Sequence, residues 1–564
     1  MQYPFTRRSL IAGALSAAPF ARWLETIATG TTPNSRVQAA QDLRNRAAFN
    51  QSRRVISSMV ANGDEDSVPN LVACFSKGLP RNQFGEVEPA AYRALLAAIK
   101  SQEHADFERI PRGGGRKLSN PQAAFTYHLE GGDPHTFDVK AAPSIKSEVG
   151  AWETSELYWQ FLCRDIPFSS YESSVVANQA AASLGSKTAG LFRGSSKACL
   201  HGPYVSQFLL KPVPYGGPKL DQRYRAPVHG SDFLTTLGEW SQIQSGIPPW
   251  REATYDSTPR YIRTGRDLAE YVHYDFPYQA YLNAALILIN SGPKSILNCN
   301  QFKSANNPYR YSTVQEGFVT FGQAEVTDWL GRVTTAALKA AYCQKWMAHR
   351  RIRPEALGGL IHLARVGTRQ YPVHPSLLNS RAVDTVFSRT GSYLLPQAYP
   401  EGCPLHPSYP SGHAAIAGAC SVVLKACFEG SMLLPGCVEP SADGTSLAAC
   451  SHYSPTVGDE IDKLASNIAI GRSWAGIHYR SDNEAGLLLG EEVGISILQD
   501  LASTYTESFP GFSFKRFDST DVRITPKGEV IQGQVRHPKA GRSLKSARIS
   551  ARKANPSSGR LEIA

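Results

Sequence analysis

"HPSYPSGHAAIAGAC", residues 406–420, opens with two histidines and a Pro-Ser-Gly turn and then becomes almost wholly apolar. Two physical readings fit that order. In the first, Ser411 caps an ordinary core helix and His413 is a hydrogen-bonded core histidine. In the second, the unpaired amides of the helix start cradle an oxyanion. Ser411 then serves as N-cap, Gly412 leaves the backbone open, and the positive helix end faces the ligand. His413 would stand in the first turn, where that potential poises its imidazole for acid–base work. Standing alone, the stretch favours the first reading.

Two other stretches change the balance. "QKWMAHRRIRPEA" (344–356) carries Lys345, His349, Arg350, Arg351 and Arg353 within nine residues. Such a run is ordinarily a solvated face, but Trp346 and Met347 make this one partly buried, and its cations sit in the last turns of the helix. Pro354 is expected to end that helix. On an ideal helix Lys345 and Arg353 lie about 80° apart and about 12 Å along the axis, so convergence rests on long side chains and an extended residue before proline. The third stretch is "NIAIGRSWAGIHYRSDNEAGLLLGEEVG" (467–494). Gly471 and Gly476 argue against one continuous helix, so Arg472 and His478 could meet around a ligand across a bend. Asp482, four residues after His478, is placed to orient its imidazole. Gly486, Gly490 and Gly494 predict a close helix crossing, and Glu491 and Glu492 exclude a membrane reading for it.

The rest of the chain sets bounds. With 564 residues, 42% hydrophobic and 19% charged, it is globular and long enough for a large core. From Lys515 onward twelve Lys and Arg face four Asp and Glu, so most of the +11 net charge belongs to the C-terminal end. "GRSLKSARISARKANPSSGR" (541–560) reads as a solvated basic tail, without the aromatics that nucleic-acid binding would need. At the other end, "TRRSLIAGALSAAPFARW" pairs Arg7 and Arg8 ahead of a short apolar run, the layout of a twin-arginine export signal. No other stretch approaches eighteen apolar residues, so no membrane span is expected. Ten cysteines form no CxxC pair and no zinc spacing. Several read as buried thiols, and the cluster from Cys403 to Cys450 is where export would permit a disulfide.

Aromatics at helical spacing in "WETSELYWQFLCRDIPF" (152–168) mark core. "RDLAEYVHYDFPYQAYLNAALILIN" (266–290) and "DWLGRVTTAALKAAYCQKWMAHRRIR" (328–353) read as long amphipathic helices. After residue 501 the period alternates and turns at Pro-Lys-Gly, which predicts a β-hairpin. The expected fold is mainly α, a helical bundle with long loops and a small C-terminal β-hairpin. Its organisation runs as an export signal (1–30), a helical extension (31–110), a catalytic helical domain (111–500), the hairpin (501–534) and the basic tail (535–564).

Together the three blocks, Lys345…Arg353-Pro354, Pro410-Ser411-Gly412-His413 and Arg472…His478, resemble the signature of the vanadium-dependent haloperoxidases. That family shares its site with the type-2 phosphatidic acid phosphatases. Seven residues separate Lys345 from Arg353, as in the algal and bacterial haloperoxidases, where phosphatases and fungal chloroperoxidases have six. "HPSYPSGHA", with His406 seven before His413, is similar to the algal bromoperoxidase arrangement. Upstream segments such as "NPQAAFTYHLEG" and "VHYDFPYQAYLNAALIL" extend the likeness over roughly 110–500.

The resemblance implies a vanadate cofactor, with hydrogen peroxide, halide and a small organic acceptor as reactants. His478 would bind vanadium directly. Lys345, Arg353, Arg472, the Ser411 hydroxyl and the Gly412 amide would neutralise the vanadate oxygens. His413 would take a proton from hydrogen peroxide, and Lys345 would polarise the peroxide for attack by halide. Vanadium would stay V(V) as a Lewis acid, and hypohalous acid would be the product. Tyr342 departs from the family pattern one turn before the lysine, where red-algal enzymes carry arginine and the fungal chloroperoxidase tryptophan. His406 nevertheless leans the reading to bromide and iodide. An exported acid phosphatase working through a phosphohistidine at His478 stays open at this point, as does a non-enzymatic phosphate- or vanadate-binding protein. A membrane lipid phosphatase is excluded by the lack of spans. The family likeness also makes a homo-oligomer an expectation.

Overall fold

The computed structural model describes residues 33–194, 196–291 and 303–533. The twin-arginine stretch and the basic tail lie outside these residues. The elements that build the core are α1 (Glu148–Cys163), α2 (Gly265–Tyr271), α3 (Gln279–Asn290), α4 (Gln323–Cys343), α5 (Pro354–Arg365), α6 (Gly412–Cys427), α7 (Val457–Trp474) and α8 (Arg480–Ala502). Strands are short and antiparallel, β1 (Val438–Pro440) with β2 (Leu447–Ala449), and a meander of β3 (Phe512–Lys515), β4 (Asp521–Ile524) and β5 (Val530–Gln532).

The apolar run after His413 is why α6 lies at the centre. A helix without a polar face must be surrounded, and every residue from Ala414 to Ala426 is buried. Around it stand α4, α7 and α8. Helix α4 offers one stripe, Val326, Leu330, Val333, Ala337 and Ala340, at the spacing an amphipathic helix requires. Helix α8 approaches much closer. A Cβ at Gly490 would lie 1.9 Å from the Ala415 carbonyl oxygen, and one at Gly418 would lie 2.1 Å from that of Leu487. The three α8 glycines therefore set the helix separation, as their spacing predicted. Gly490→Ala forces backbone against backbone and is expected to cost about 3 kcal/mol or more. Gly331→Ala, on an open face of α4 with nothing within 4 Å, should be neutral or stabilising. Thermal unfolding of the two variants side by side checks the contrast.

Several expectations are corrected. Residues 266–290 are not one helix. The chain leaves α2 after Tyr271, and α3 begins only at Gln279, two residues beyond Pro277. Helix α4 ends at Cys343 in a π-helical turn (Gln344–His349) that closes with Arg350 N–H donating to the Lys345 carbonyl at 3.0 Å. Arg350 then takes a left-handed conformation, φ 30°. Pro354 does not end this helix but starts α5, at a first-turn position where its missing N–H costs nothing. Gly471 lies inside α7, and the break falls at Gly476, φ 84°. The Pro526-Lys527-Gly528 turn does join a hairpin, β4–β5, but β3 adds a third strand. All nine described cysteines are free thiols, so no disulfide forms within the cluster from Cys403 to Cys450, where export would have permitted one.

Candidate functional site

Each of the three sequence blocks delivers its side chains at a helix end or just beyond one. The π-turn points Lys345 into the interior, where it is fully buried. Its ammonium donates to the carbonyls of Pro407 (2.8 Å) and Ser408 (2.9 Å). The next residues run extended and are stitched to an upstream segment. Phe75 N–H donates to the Arg350 carbonyl (2.7 Å), and Ile352 N–H donates to that of Ala73 (3.1 Å). Two residues further, Lys77 makes a fully buried ion pair with Glu355 of α5 at 2.5 Å. Arg353, extended as the residue before proline must be, is held between these anchors. Its guanidinium donates to the His406 and Ile477 carbonyls (2.9 and 3.1 Å). It also meets His478 Nε2 at 3.1 Å and His406 Nδ1 at 2.9 Å.

The second block begins α6. Ser411 is the N-cap, with its hydroxyl accepting from Ala414 N–H, and its own N–H donates to the Asp482 carbonyl at 2.8 Å. Gly412 opens the helix, and His413 in its first turn is left partly open to solvent, with a side chain 29% exposed. His413 Nε2 lies 3.1 Å from Asp275 Oδ1.

From the third block, Arg472 comes from the last turn of α7 and donates to the Val272 carbonyl (2.7 Å) and the Tyr399 hydroxyl (3.3 Å). The left-handed Gly476 turns the chain, and His478 follows. Its Nδ1 lies 2.9 Å from Asp482 Oδ2. A carboxylate only accepts, so Nδ1 carries the proton and Nε2 keeps a lone pair. Asp482 is fixed in turn by Arg351 (2.7 Å), the Ser408 hydroxyl (2.5 Å) and Tyr479 N–H (3.1 Å). These partners and the His478 hydrogen bond overcome burial and hold its carboxyl well below the usual range.

Hydrogen bonds and shared neighbours thus bring Lys345, Arg353, His406, Ser411, Gly412, Arg472 and His478 together, with His413 at the open side. Of the five basic groups in the first block, two turn away. Arg350 pairs with Glu65 at 2.6 Å, and His349 packs beside Gln344 and Tyr409, where burial pushes it down to about 4. Arg351 turns its guanidinium to Asp482, the buried Glu153 (2.5 Å) and the Ser481 hydroxyl (2.9 Å), and its carbonyl accepts from Ser408 N–H (3.1 Å). Asp275, Ser408 and Tyr399 were missed from sequence. Asp275 was hidden by the supposed helix over 266–290, and Pro277 was the available signal. Tyr342, one turn before Lys345, places its ring 5.4 Å from that of His406.

Comparison with known proteins gives a consistent result. The family model described as "VCPO second helical-bundle domain" matches residues 391–507, which include the second and third blocks. A vanadium-dependent bromoperoxidase of Corallina pilulifera is 32% identical, covering 87% of this chain and 98% of its own. One from Ascophyllum nodosum is 31% identical, covering 88% and 94%. The chain belongs to the vanadium-dependent bromoperoxidases. A solved structure, the homohexameric second vanadate-dependent bromoperoxidase of Ascophyllum nodosum, superposes with TM-score 0.86 at 28% identity over 94% of this chain and 96% of that one. The likeness therefore reaches past the 110–500 expected from motifs.

The donor set fits the bromoperoxidase cofactor. Lys345, Arg353 and Arg472 are all buried, and Arg472 Nε has no hydrogen-bond partner among the described residues. Burial, helped by Arg353 and Arg472, holds the Lys345 ammonium well below its ordinary value, with Asp482 opposing. Burial and the same arginine hold His478 well below its own, again against Asp482. Three cations gathered away from water are costly unless an anion completes them. Among the described residues no helix is long and apolar enough to cross a membrane.

Proposed function

We propose that this site holds vanadate and that the bromoperoxidase fold uses it to oxidise halide with hydrogen peroxide, yielding hypohalous acid and water. The observation that carries the reading is His478, whose proton is tied to Asp482 so that its Nε2 lone pair faces the cationic pocket. That is the orientation a metal-binding imidazole needs. When bound, vanadate supplies a Lewis acid that activates hydrogen peroxide toward halide without changing its own valence. Lys345, Arg353 and Arg472 neutralise the oxyanion, with the Ser411 hydroxyl and Gly412 amide as neutral donors at the positive end of α6. His413 receives the peroxide proton at the open side, and Asp275 holds its ring there.

Bromide and iodide are the proposed halides, with His406 and Tyr342 beside the site and electron-rich organic molecules as acceptors. We further propose homo-oligomeric assembly, as in the Ascophyllum neighbour, and export by the twin-arginine route on the strength of Arg7, Arg8 and the apolar run behind them.

One purified sample decides between this reading and phosphatase chemistry. Reconstituted with orthovanadate, it should brominate an organic acceptor in a peroxide-dependent manner. Stripped of vanadium, it should hydrolyse phosphate esters at a small fraction of that turnover. Absence of bromination with vanadate bound, alongside strong ester hydrolysis, would falsify the proposal.

A further inference from the structure

Helix α6 is joined to α7 by residues 428–456, and within that connection β1 and β2 form a two-stranded ribbon. The register pairs Val438 with Ala449. One step outward, Cys437 faces Cys450, and Cys450 N–H donates to the Cys437 carbonyl at 2.9 Å. Side chains two residues apart on an extended strand share a face. Cys437 and Glu439 therefore project on the same side as Cys450, and His452 follows in the turn that leaves the ribbon.

The side chains do converge. Cys450 Sγ lies 3.7 Å from Nδ1 and 3.6 Å from Nε2 of His452. His452 Nε2 lies 3.9 Å from Glu439 Oε1. One donor atom each from Glu439, Cys450 and His452 fall within 4.8 Å of one another, and Cys437 stands opposite Cys450 across the ribbon. Around a tetrahedral zinc ion, with Zn–S near 2.3 Å and Zn–N near 2.0 Å, sulfur and nitrogen ligands stand about 3.6 Å apart. The cysteine–histidine spacing here already has that value. A disulfide would employ the two sulfurs alone and leave the imidazole and carboxylate facing only each other.

We propose that Cys437, Cys450, His452 and Glu439 form a binding site for one zinc-class divalent cation, distinct from the vanadate pocket. Two thiolates, an imidazole and a carboxylate are the mixed set that zinc accepts. The thiols are buried at the base, while His452 (70% exposed) and Glu439 (39% exposed) close over from solvent. Binding forms two metal–sulfur bonds and releases both thiol protons. The ion would clip the connection between α6 and α7. Gln207 already holds the same ribbon from the other direction through Val438, at 2.9 and 2.8 Å.

The test uses the full chain, loaded with vanadate and purified under reducing conditions. Elemental analysis should find one zinc per chain. Cobalt replacing it should give thiolate charge-transfer bands in the near ultraviolet and tetrahedral d–d bands in the visible. Cys450→Ser should lose those bands, and His452→Ala should weaken zinc retention at least tenfold. Both variants should brominate like the parent after vanadate loading. Because His452 is exposed, its alanine variant serves even if Cys450→Ser folds poorly. Cobalt bound without thiolate bands, unchanged zinc affinity in His452→Ala, or a Cys437–Cys450 disulfide in the protein as isolated overturns the proposal.

Discussion

Replacing His478 with alanine should abolish vanadate retention and, with it, bromide oxidation, while the protein stays folded. The imidazole offers a nitrogen lone pair that faces Arg353 inside the pocket, on a ring whose other nitrogen is tied to Asp482. Losing a direct metal bond at a buried site costs several kcal/mol, which is about 10³-fold or more in affinity. The fold should survive because Asp482, left behind, keeps Arg351, the Ser408 hydroxyl and Tyr479 N–H. Asp482→Asn makes a graded comparison. It loosens the ring instead of removing it, and should weaken vanadate binding by about 10–100-fold. Equilibrium dialysis with vanadium analysis measures both, and normal bromination by His478→Ala would rule out the metal assignment.

The second large effect belongs to His413. Alanine there should leave vanadate bound with an affinity close to the parent's, yet lower kcat by about 10²–10⁴-fold. The cradle does not depend on this side chain, because Lys345, Arg353, Arg472 and His478 all project from other segments. His413 sits at the rim with Asp275 as its partner, which suits a group that exchanges protons with an incoming small molecule. Steady-state bromination beside dialysis separates the two quantities. A variant that loses vanadate and turnover in parallel would make His413 a cofactor ligand rather than a proton acceptor.

Much of this site could be read from the sequence because each block carries its own local signal. Ser411-Gly412 announces a helix mouth, the run after it announces burial, and Gly486, Gly490 and Gly494 announce the crossing that fixes that mouth. The π-turn could not be read, since its residues fit an α-helix equally well and only tertiary anchors at Ala73 and Phe75 pull the chain out of it. Asp275 was lost for a related reason. The apolar period on both sides of "VHYDFP" is helical, so the pattern carried across a break that Pro277 alone marked. Gly471 was over-read: a glycine can be tolerated inside a helix where another chain passes close, and a Cβ there would lie 2.9 Å from Val272.

The π-turn has a bearing on how such motifs are compared. A turn closed between residues five apart holds one residue more than a turn closed between residues four apart. Here that surplus is absorbed between Lys345 and Arg350, before the strand-like run that anchors Arg353. The seven residues between lysine and arginine, one more than in the phosphatase and chloroperoxidase branches, thus need not enlarge the pocket. Letter counts in this block report local helix winding. Two branches can differ by a residue in their signature and still present the same pair of cations to the same anion.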